Sequence, residues 1–217
     1  MDQNYIAALE NRETMYRLLG RLYLKEVDAD LLGRLKSLRF QAECGDGELE
    51  KGCRMLEKEI AARKATRDDL DDLSADYCRI FLGAGCVDEV AAYPFESVYT
   101  SPGKLVCQDA YEAVYKLFKA EGLEKTEHDV LEDQLGLELS FMAHLARKAV
   151  LKAREGDEQA LSDVLDRQEK FLREHLLNWV PRLCADIRAC PGSDFYKAVS
   201  LVTEGFLRQE ETFLCEN

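Results

Sequence analysis

Residues 66–83 read TRDDLDDLSADYCRIFLG, and this stretch indicates most clearly how the chain folds. Its apolar side chains recur three or four positions apart, which is the spacing of one face of an α-helix. The acidic first turn suits the positive end of the helix dipole, and Gly83 stands where a helix commonly ends. The stretch therefore predicts one amphipathic helix over residues 66–82.

The same spacing recurs along the rest of the chain. It predicts further helices over residues 5–25, 28–38, 49–64, 104–121, 132–154, 157–179, 181–190 and 193–216. No segment alternates apolar and polar residues as a strand does. We therefore predict an all-α fold, a single globular helical domain of about eight or nine helices over residues 1–217. A polar connector at 123–131 separates an N-terminal half, 1–122, from a C-terminal half, 132–217.

Charge and hydropathy exclude two classes of partner. The 217 residues carry a formal net charge of -13, so phosphate backbones and anionic lipid surfaces are repelled. No segment approaches the roughly 20 apolar residues of a membrane-spanning helix, and the N-terminus is not a signal peptide. Adjacent arginines occur nowhere in the chain. We expect a cytoplasmic protein that binds no nucleic acid and does not insert into a membrane.

Motifs for catalysis and metal binding are missing. The chain has no GxSxG, P-loop or HExxH motif, and none of its three histidines completes the Glu-x-x-His pattern of di-iron bundles. Its eight cysteines form no CxxC pair, so we expect reduced thiols, with Cys44 and Cys86 the most exposed. We predict no catalytic residues, no metal, no cofactor and no enzyme activity; the alternative of a nucleotide hydrolase rests only on scattered acids.

Two windows, 80–103 and 126–146, hold acids and large apolar side chains but no Lys or Arg. Such a surface suits a ligand that is cationic at one end and apolar at the other, such as a peptide with arginines ahead of an apolar run. The alternative is that both windows are ordinary solvated faces and core stripes. The acids of the windows are Asp88, Glu89, Glu96, Glu127, Asp129, Glu132, Asp133 and Glu138.

Four motifs then occur in order. They are PFESVY at 94–99, EDQLGLELSFM at 132–142, FLREHLLNW at 171–179 and FY at 195–196. This ordered set resembles the signature of the TorD/DmsD family, all-helical cytosolic chaperones of molybdopterin oxidoreductases, over about residues 76–217. Gln134 stands at the family's histidine position and Leu131 at its proline position, so the chain departs from the family wherever a titrating imidazole or a proline-fixed hinge is needed.

The resemblance implies a chaperone that binds the twin-arginine signal peptide of a molybdopterin oxidoreductase precursor and holds it until cofactor insertion and folding are complete. Its partners are then the catalytic subunit precursor and its leader. Glu96, Asp133 and Glu138 are the expected acceptors of the leader arginines, whereas Trp179 is expected to be core. The expected peptide-binding residues are Tyr93, Pro94, Phe95, Glu96, Ser97, Tyr99, Glu132, Asp133, Gln134 and Glu138.

Two questions stay open at the level of sequence. An assembly chaperone of the nitrate reductase type, which binds the enzyme without reading twin arginines, has the same fold and is the alternative function. The connector at 123–131 is a hinge compatible with a domain-swapped dimer, and a monomer fits equally well.

Overall fold

Helices account for nearly all of the structure, a computed structural model that describes residues 2–38, 47–85, 91–124, 129–192 and 194–216. They are α1 (Gln3–Leu24), α2 (Ala29–Ser37), α3 (Gly47–Ala62), α4 (Arg67–Leu82), α5 (Glu96–Thr100), α6 (Asp109–Ala120), α7 (Leu135–Glu155), α8 (Glu158–Phe171), a π-helical turn (Leu172–Leu176), α9 (Val180–Ala189) and α10 (Asp194–Glu216). Within these ranges there is no strand, only an isolated bridge between Phe95 and Gln134. The all-α prediction is confirmed. None of the described helices is long and apolar enough to cross a membrane.

Helix α4 has the boundaries that residues 66–83 predict. The Thr66 hydroxyl accepts a hydrogen bond from the backbone N–H of Asp69, and the Asp69 carboxylate accepts one from the N–H of Thr66. This reciprocal pair is a capping box, which satisfies backbone donors that the first turn leaves free. At the other end Gly83 adopts φ 68°, a left-handed conformation that costs glycine little.

Two predicted helix starts have different outcomes. The sequence predicts that a helix begins at Glu132, with the adjacent acids as caps, but α7 begins at Leu135 and Gln134 is its cap. The Gln134 side chain fills this role because its oxygen accepts from the Gly136 N–H while its nitrogen donates to the carbonyl of Tyr23. The predicted cap of α10, Ser193, lies outside the described residues.

The chain forms two compact units. Unit 1 comprises Met1–Leu24, Phe95–Trp179 and Gln209–Asn217, and unit 2 comprises Lys25–Pro94 and Val180–Arg208. In unit 1, α1 packs antiparallel against α7. A Cβ placed on Gly136 would lie 2.7 Å from the carbonyl oxygen of Gly20, so these two glycines let the helix backbones approach closely.

A buried ion pair joins the ends of the chain inside unit 1. The guanidinium of Arg12 donates two hydrogen bonds of 2.7 Å, one from Nε and one from Nη2, to the carboxylate of Glu210. It also donates to the side chain of Gln168 and lies over the ring of Phe213, 4.3 Å from its centroid. A buried pair of this kind is tolerated because further polar contacts replace the lost water.

Unit 2 is built around aromatic side chains. Phe81 of α4 meets Tyr196 of α10 edge to face, with 5.2 Å between ring centroids, and Tyr77 lies 6.0 Å from the same ring. The close approach of α3 to α10 depends on Gly52, where a Cβ would lie 2.8 Å from Leu201. The two thiols expected to be most exposed, at positions 44 and 86, lie outside the described residues.

Candidate functional site

The first two sequence motifs meet inside unit 1. Phe95 forms the isolated bridge with Gln134, and the backbone N–H of Glu96 donates to the carbonyl of Asp133 at 2.9 Å. The N–H of Ser97 donates to Oδ2 of the Asp133 side chain at 3.0 Å. Asp133 therefore binds the first turn of α5 and is not a cap of α7.

The carboxyl of Asp133 is fully buried. Its second oxygen, Oδ1, has no hydrogen-bond partner among the described residues. Burial raises the pKa of this carboxyl, and the hydrogen bonds from Ser97 oppose that effect only in part. The Asp133 side chain thus contacts the interior of the site and not solvent.

Glu96 connects α5 to the π-helical turn. One of its oxygens lies 2.9 Å from Nδ1 of His175, and the other accepts a hydrogen bond of 2.9 Å from the Asn178 amide. The Trp179 indole N–H in turn donates to the carbonyl of His175. The π-helical geometry, marked by the bond from the Leu177 N–H to the Leu172 carbonyl, places His175 and Asn178 on the same carboxylate. Such turns are frequent at functional sites.

Glu138 is the most unusual side chain of the site. It lies on α7 with none of its surface exposed, and neither carboxyl oxygen has a hydrogen-bond partner of ordinary geometry in the described part of the chain. Burial, followed by the negative charge of Glu96, raises the pKa of Glu138 well above its ordinary value. A carboxyl in this setting takes up a proton rather than keep an unpaired charge in an apolar interior.

An open groove of about 600 Å³ lies next to this cluster, between α6, α7 and the α8–π-helical segment of unit 1. Its floor is aromatic: the ring centroids of Phe141 and Phe171 are 4.7 Å apart, and those of Phe171 and His175 are 4.9 Å apart. Leu145 adds to the floor, and Leu117, with 37% of its surface exposed, forms part of the α6 wall. Charged side chains also line the groove, namely Glu121, Arg167, Lys170 and Glu174.

One of these charges is heavily paired. The Glu121 carboxylate forms ion pairs with Arg167 and with Lys148, the latter at 2.8 Å, and lies 3.1 Å from Nε2 of His144. Burial, assisted by the charge of Lys148, lowers the pKa of His144, so its imidazole is neutral at pH 7. Glu121 therefore fastens the end of α6 to α7 and α8.

The structure brings together six of the predicted peptide-binding residues inside unit 1, but as an interior network. These are Phe95, Glu96, Ser97, Asp133, Gln134 and Glu138. Glu132 is also buried, and Tyr99 is half-buried with its ring 5.5 Å from the fully buried Trp179, which is core as expected. Tyr93 and Pro94 belong to unit 2, where Tyr93 is exposed and Pro94 is buried.

The windows and the groove overlap only in part. Phe141 of the second window lies in the groove floor, and Glu96 of the first holds His175 at its edge. The sequence analysis missed the walls from α6 and α8, for which the only signals were an apolar face on α6 and the motif at 171–179. Asp88, Glu89 and Glu127 lie outside the described residues. In the ranges described, no group of three or more His, Cys, Asp or Glu side chains could hold a metal ion.

Comparison with known proteins agrees with the motifs. The family model described as "Nitrate reductase delta subunit" matches residues 43–185, about two thirds of the chain. Proteins named "Chaperone protein TorD" are similar over nearly the full length. The one from Vibrio cholerae serotype O1 (strain ATCC 39315 / El Tor Inaba N16961) is 29% identical, covering 95% of this chain and 93% of its own. The one from Photobacterium profundum is 25% identical, covering 98% of both. The resemblance noted in the sequence is confirmed.

Proposed function

This chain belongs to the nitrate reductase delta subunit family, and on that premise we propose that it is a cytosolic chaperone of a molybdopterin oxidoreductase. It binds the twin-arginine signal peptide of the catalytic subunit precursor and holds it until cofactor insertion and folding are complete. The chaperone names of its relatives and the four ordered motifs support this proposal.

The observation that carries the proposal is the groove of unit 1. Its floor, Phe141, Leu145 and Phe171, is almost fully covered, so the apolar surface that the groove offers to an amphipathic segment comes mainly from the α6 wall with Leu117. Apolar side chains of a signal peptide gain about 25 cal/mol for each Å² that they remove from water in such a groove. The net charge of -13 favours the approach of a cationic leader.

The buried acids Glu96 and Asp133 hold residues that border the groove. Glu96 holds the imidazole of His175, which borders the aromatic floor, and Asp133 fixes the turn that carries Glu96. Direct contact of a leader arginine with Glu96, Asp133 or Glu138 remains a prediction from the sequence. Because all three carboxyls are buried, such a contact requires that the leader first displace the side chains that cover them.

An assembly chaperone that binds the enzyme without reading twin arginines is the second candidate. Two observations favour it. The matching family model carries the description "Nitrate reductase delta subunit", and the three acids expected to accept arginine are buried. The two candidates differ in one property, which is the dependence of binding on the leader arginines.

Calorimetric titration of the purified chain with a twin-arginine leader peptide distinguishes the candidates. The proposal predicts that the glutamine peptide binds more weakly than the arginine peptide. It also predicts that high salt weakens the arginine peptide more than the glutamine peptide, because exposed charge pairs are screened over about 8 Å at physiological ionic strength. Equal affinity for the arginine and glutamine peptides at both salt concentrations would favour the second candidate.

A matched pair of variants tests the groove itself. Leu117→Ser removes an apolar side chain of which 37% is exposed. Full burial of a leucine contributes about 1.5–3 kcal/mol, so covering this remainder contributes about 0.5–1 kcal/mol, and leader affinity should fall about threefold to sixfold. Leu151→Ser is the control, since Leu151 is similarly exposed on α7 but does not line the groove. Equal loss of affinity in both variants, or in neither, contradicts a binding site in this groove.

A further inference from the structure

The charged side chains that line the groove differ in whether they are already paired. Glu121 and Arg167 form an ion pair with each other, and Glu121 also binds Lys148. Lys170 and Glu174 also line the groove and are exposed, yet within the part of the chain that the structure describes neither forms an ion pair. A carboxylate that is free, exposed and beside an apolar floor can accept a cation from a ligand at little cost in desolvation.

Glu174 lies at one end of the aromatic floor. It belongs to the π-helical turn, where it directly precedes His175 and follows Phe171 by three residues. Arg167 lies seven residues earlier on the same helical segment, about 10 Å away along the axis at about 1.5 Å per residue. The groove therefore has an unpaired carboxylate at one end, Glu174. Towards the other end cations are in excess: Lys170 lies one helical turn from Glu174, and Arg167 and Lys148 share the single carboxylate of Glu121. We call this the cationic end.

We propose that Glu174 accepts the arginine that precedes the apolar run of the leader, and that the cationic end sets the direction in which the peptide lies. This inference rests on the proposed function and names the residue that reads the arginine. In the proposed direction the arginine meets Glu174, and the apolar run crosses Phe171 and Phe141 towards Arg167. In the reverse direction a leader arginine would face Lys170 and Arg167, and like charges at short range disfavour that arrangement.

The chemistry favours arginine over lysine at this position. A guanidinium presents two parallel N–H donors that match both oxygens of a carboxylate, whereas an ammonium acts as a point charge. Because Glu174 has no partner to give up in the described structure, the pair forms without breaking an internal bond. Because Glu174 is exposed and its charge is screened by solvent, its pair with an arginine should change affinity by about twofold to fivefold.

Titrations of two protein variants against three peptides test the proposal. The variants are Glu174→Gln and Asp166→Asn; Asp166 is an exposed acid of α8 that does not line the groove, so both changes remove one negative charge. The peptides carry two arginines, two lysines or two glutamines ahead of the same apolar run. We expect Glu174→Gln to weaken binding of the arginine peptide about twofold to fivefold, of the lysine peptide less, and of the glutamine peptide not at all, while Asp166→Asn leaves all three nearly unchanged.

The outcomes separate the two claims. If the parent chain binds the arginine peptide and Glu174→Gln binds it equally well, the assignment of Glu174 is wrong and the proposed function stands. Equal losses in Glu174→Gln and Asp166→Asn would indicate only long-range attraction, which also overturns the assignment. Failure of the parent chain to bind the arginine peptide overturns the proposed function and this inference together. A melting temperature for each variant shows whether it is folded.

Discussion

Replacement of Glu138 by glutamine is the substitution whose effect on stability should depend most on pH. The carboxyl is fully buried, has no hydrogen-bond partner of ordinary geometry among the described residues, and lies near the acids Glu96 and Asp133. Burial raises its pKa well above the ordinary value of 4.5, so the folded chain keeps a proton that the unfolded chain releases. Glutamine has nearly the shape of the protonated acid and releases no proton.

The sign and size of the effect follow from proton linkage. Well below pH 4.5, Glu138 is protonated in both the folded and the unfolded parent chain, so the free energy of unfolding does not depend on pH through this group. As pH rises above 4.5 towards the raised pKa, the folded state binds the extra proton, and the free energy of unfolding falls by about 1.4 kcal/mol for each pH unit. Glu138→Gln lacks this loss, so its stability relative to the parent chain should rise with that slope.

Urea unfolding between about pH 4 and about pH 8 measures the difference. The buried amide has a second donor without a partner, so the variant starts from an offset of about 1–3 kcal/mol at low pH, and the test lies in the slope. Glu174→Gln is the control, because its carboxyl is exposed and its profile should run nearly parallel to that of the parent chain. A difference between Glu138→Gln and the parent chain that stays constant over the whole range from about pH 5 to about pH 8 would refute the reasoning.

Two further predictions concern packing inside each unit, with midpoints of urea or thermal unfolding as the measurement. Gly136→Ala should destabilise the chain by about 1–3 kcal/mol, because its new Cβ meets the carbonyl of Gly20 at 2.7 Å, whereas Gly33→Ala, with no atom within 4 Å, should stabilise it by up to about 1 kcal/mol; the opposite order would contradict the close approach of α1 and α7. Arg12→Leu should cost about 3–5 kcal/mol because it leaves the buried carboxylate of Glu210 without its partner, and a loss below about 1 kcal/mol would show that water reaches this pair.

Local signals made most of the fold predictable. Helix α4 needs only its own residues, since Thr66 and Asp69 cap each other and Gly83 ends it. The start of α7 was displaced by three residues because its cap, Gln134, is selected by the carbonyl of Tyr23, which is 111 positions away in the chain. The adjacent acids Glu132 and Asp133 resemble helix caps in the sequence. Their pattern cannot show that a distant carbonyl makes Gln134 the cap.

The sequence indicated several residues that contact one another in unit 1, but it did not indicate that they are buried, and their role in peptide binding stays a prediction. The motifs at 94–99 and 132–142 contact each other in the structure. The burial of Glu138 was not predictable, because an acid in a helix usually marks the solvent face and only the packing around α7 places it inside. For Glu174 the sequence indicates an ordinary surface acid, and it is exposed. Only the position of Glu174 beside the groove suggests a role in binding.

Photo-cross-linking tests the central claim, that the groove of unit 1 holds the leader, most directly. A leader peptide with a benzophenone side chain in its apolar run is bound to the full chain and irradiated, and mass spectrometry locates the attached residues. The account predicts attachment to exposed groove residues of α6, α8 and the π-helical turn, such as Leu117, Lys170 and Glu174, and competition by unlabelled leader. Attachment confined to unit 2, or to residues 93–99 alone, would contradict it.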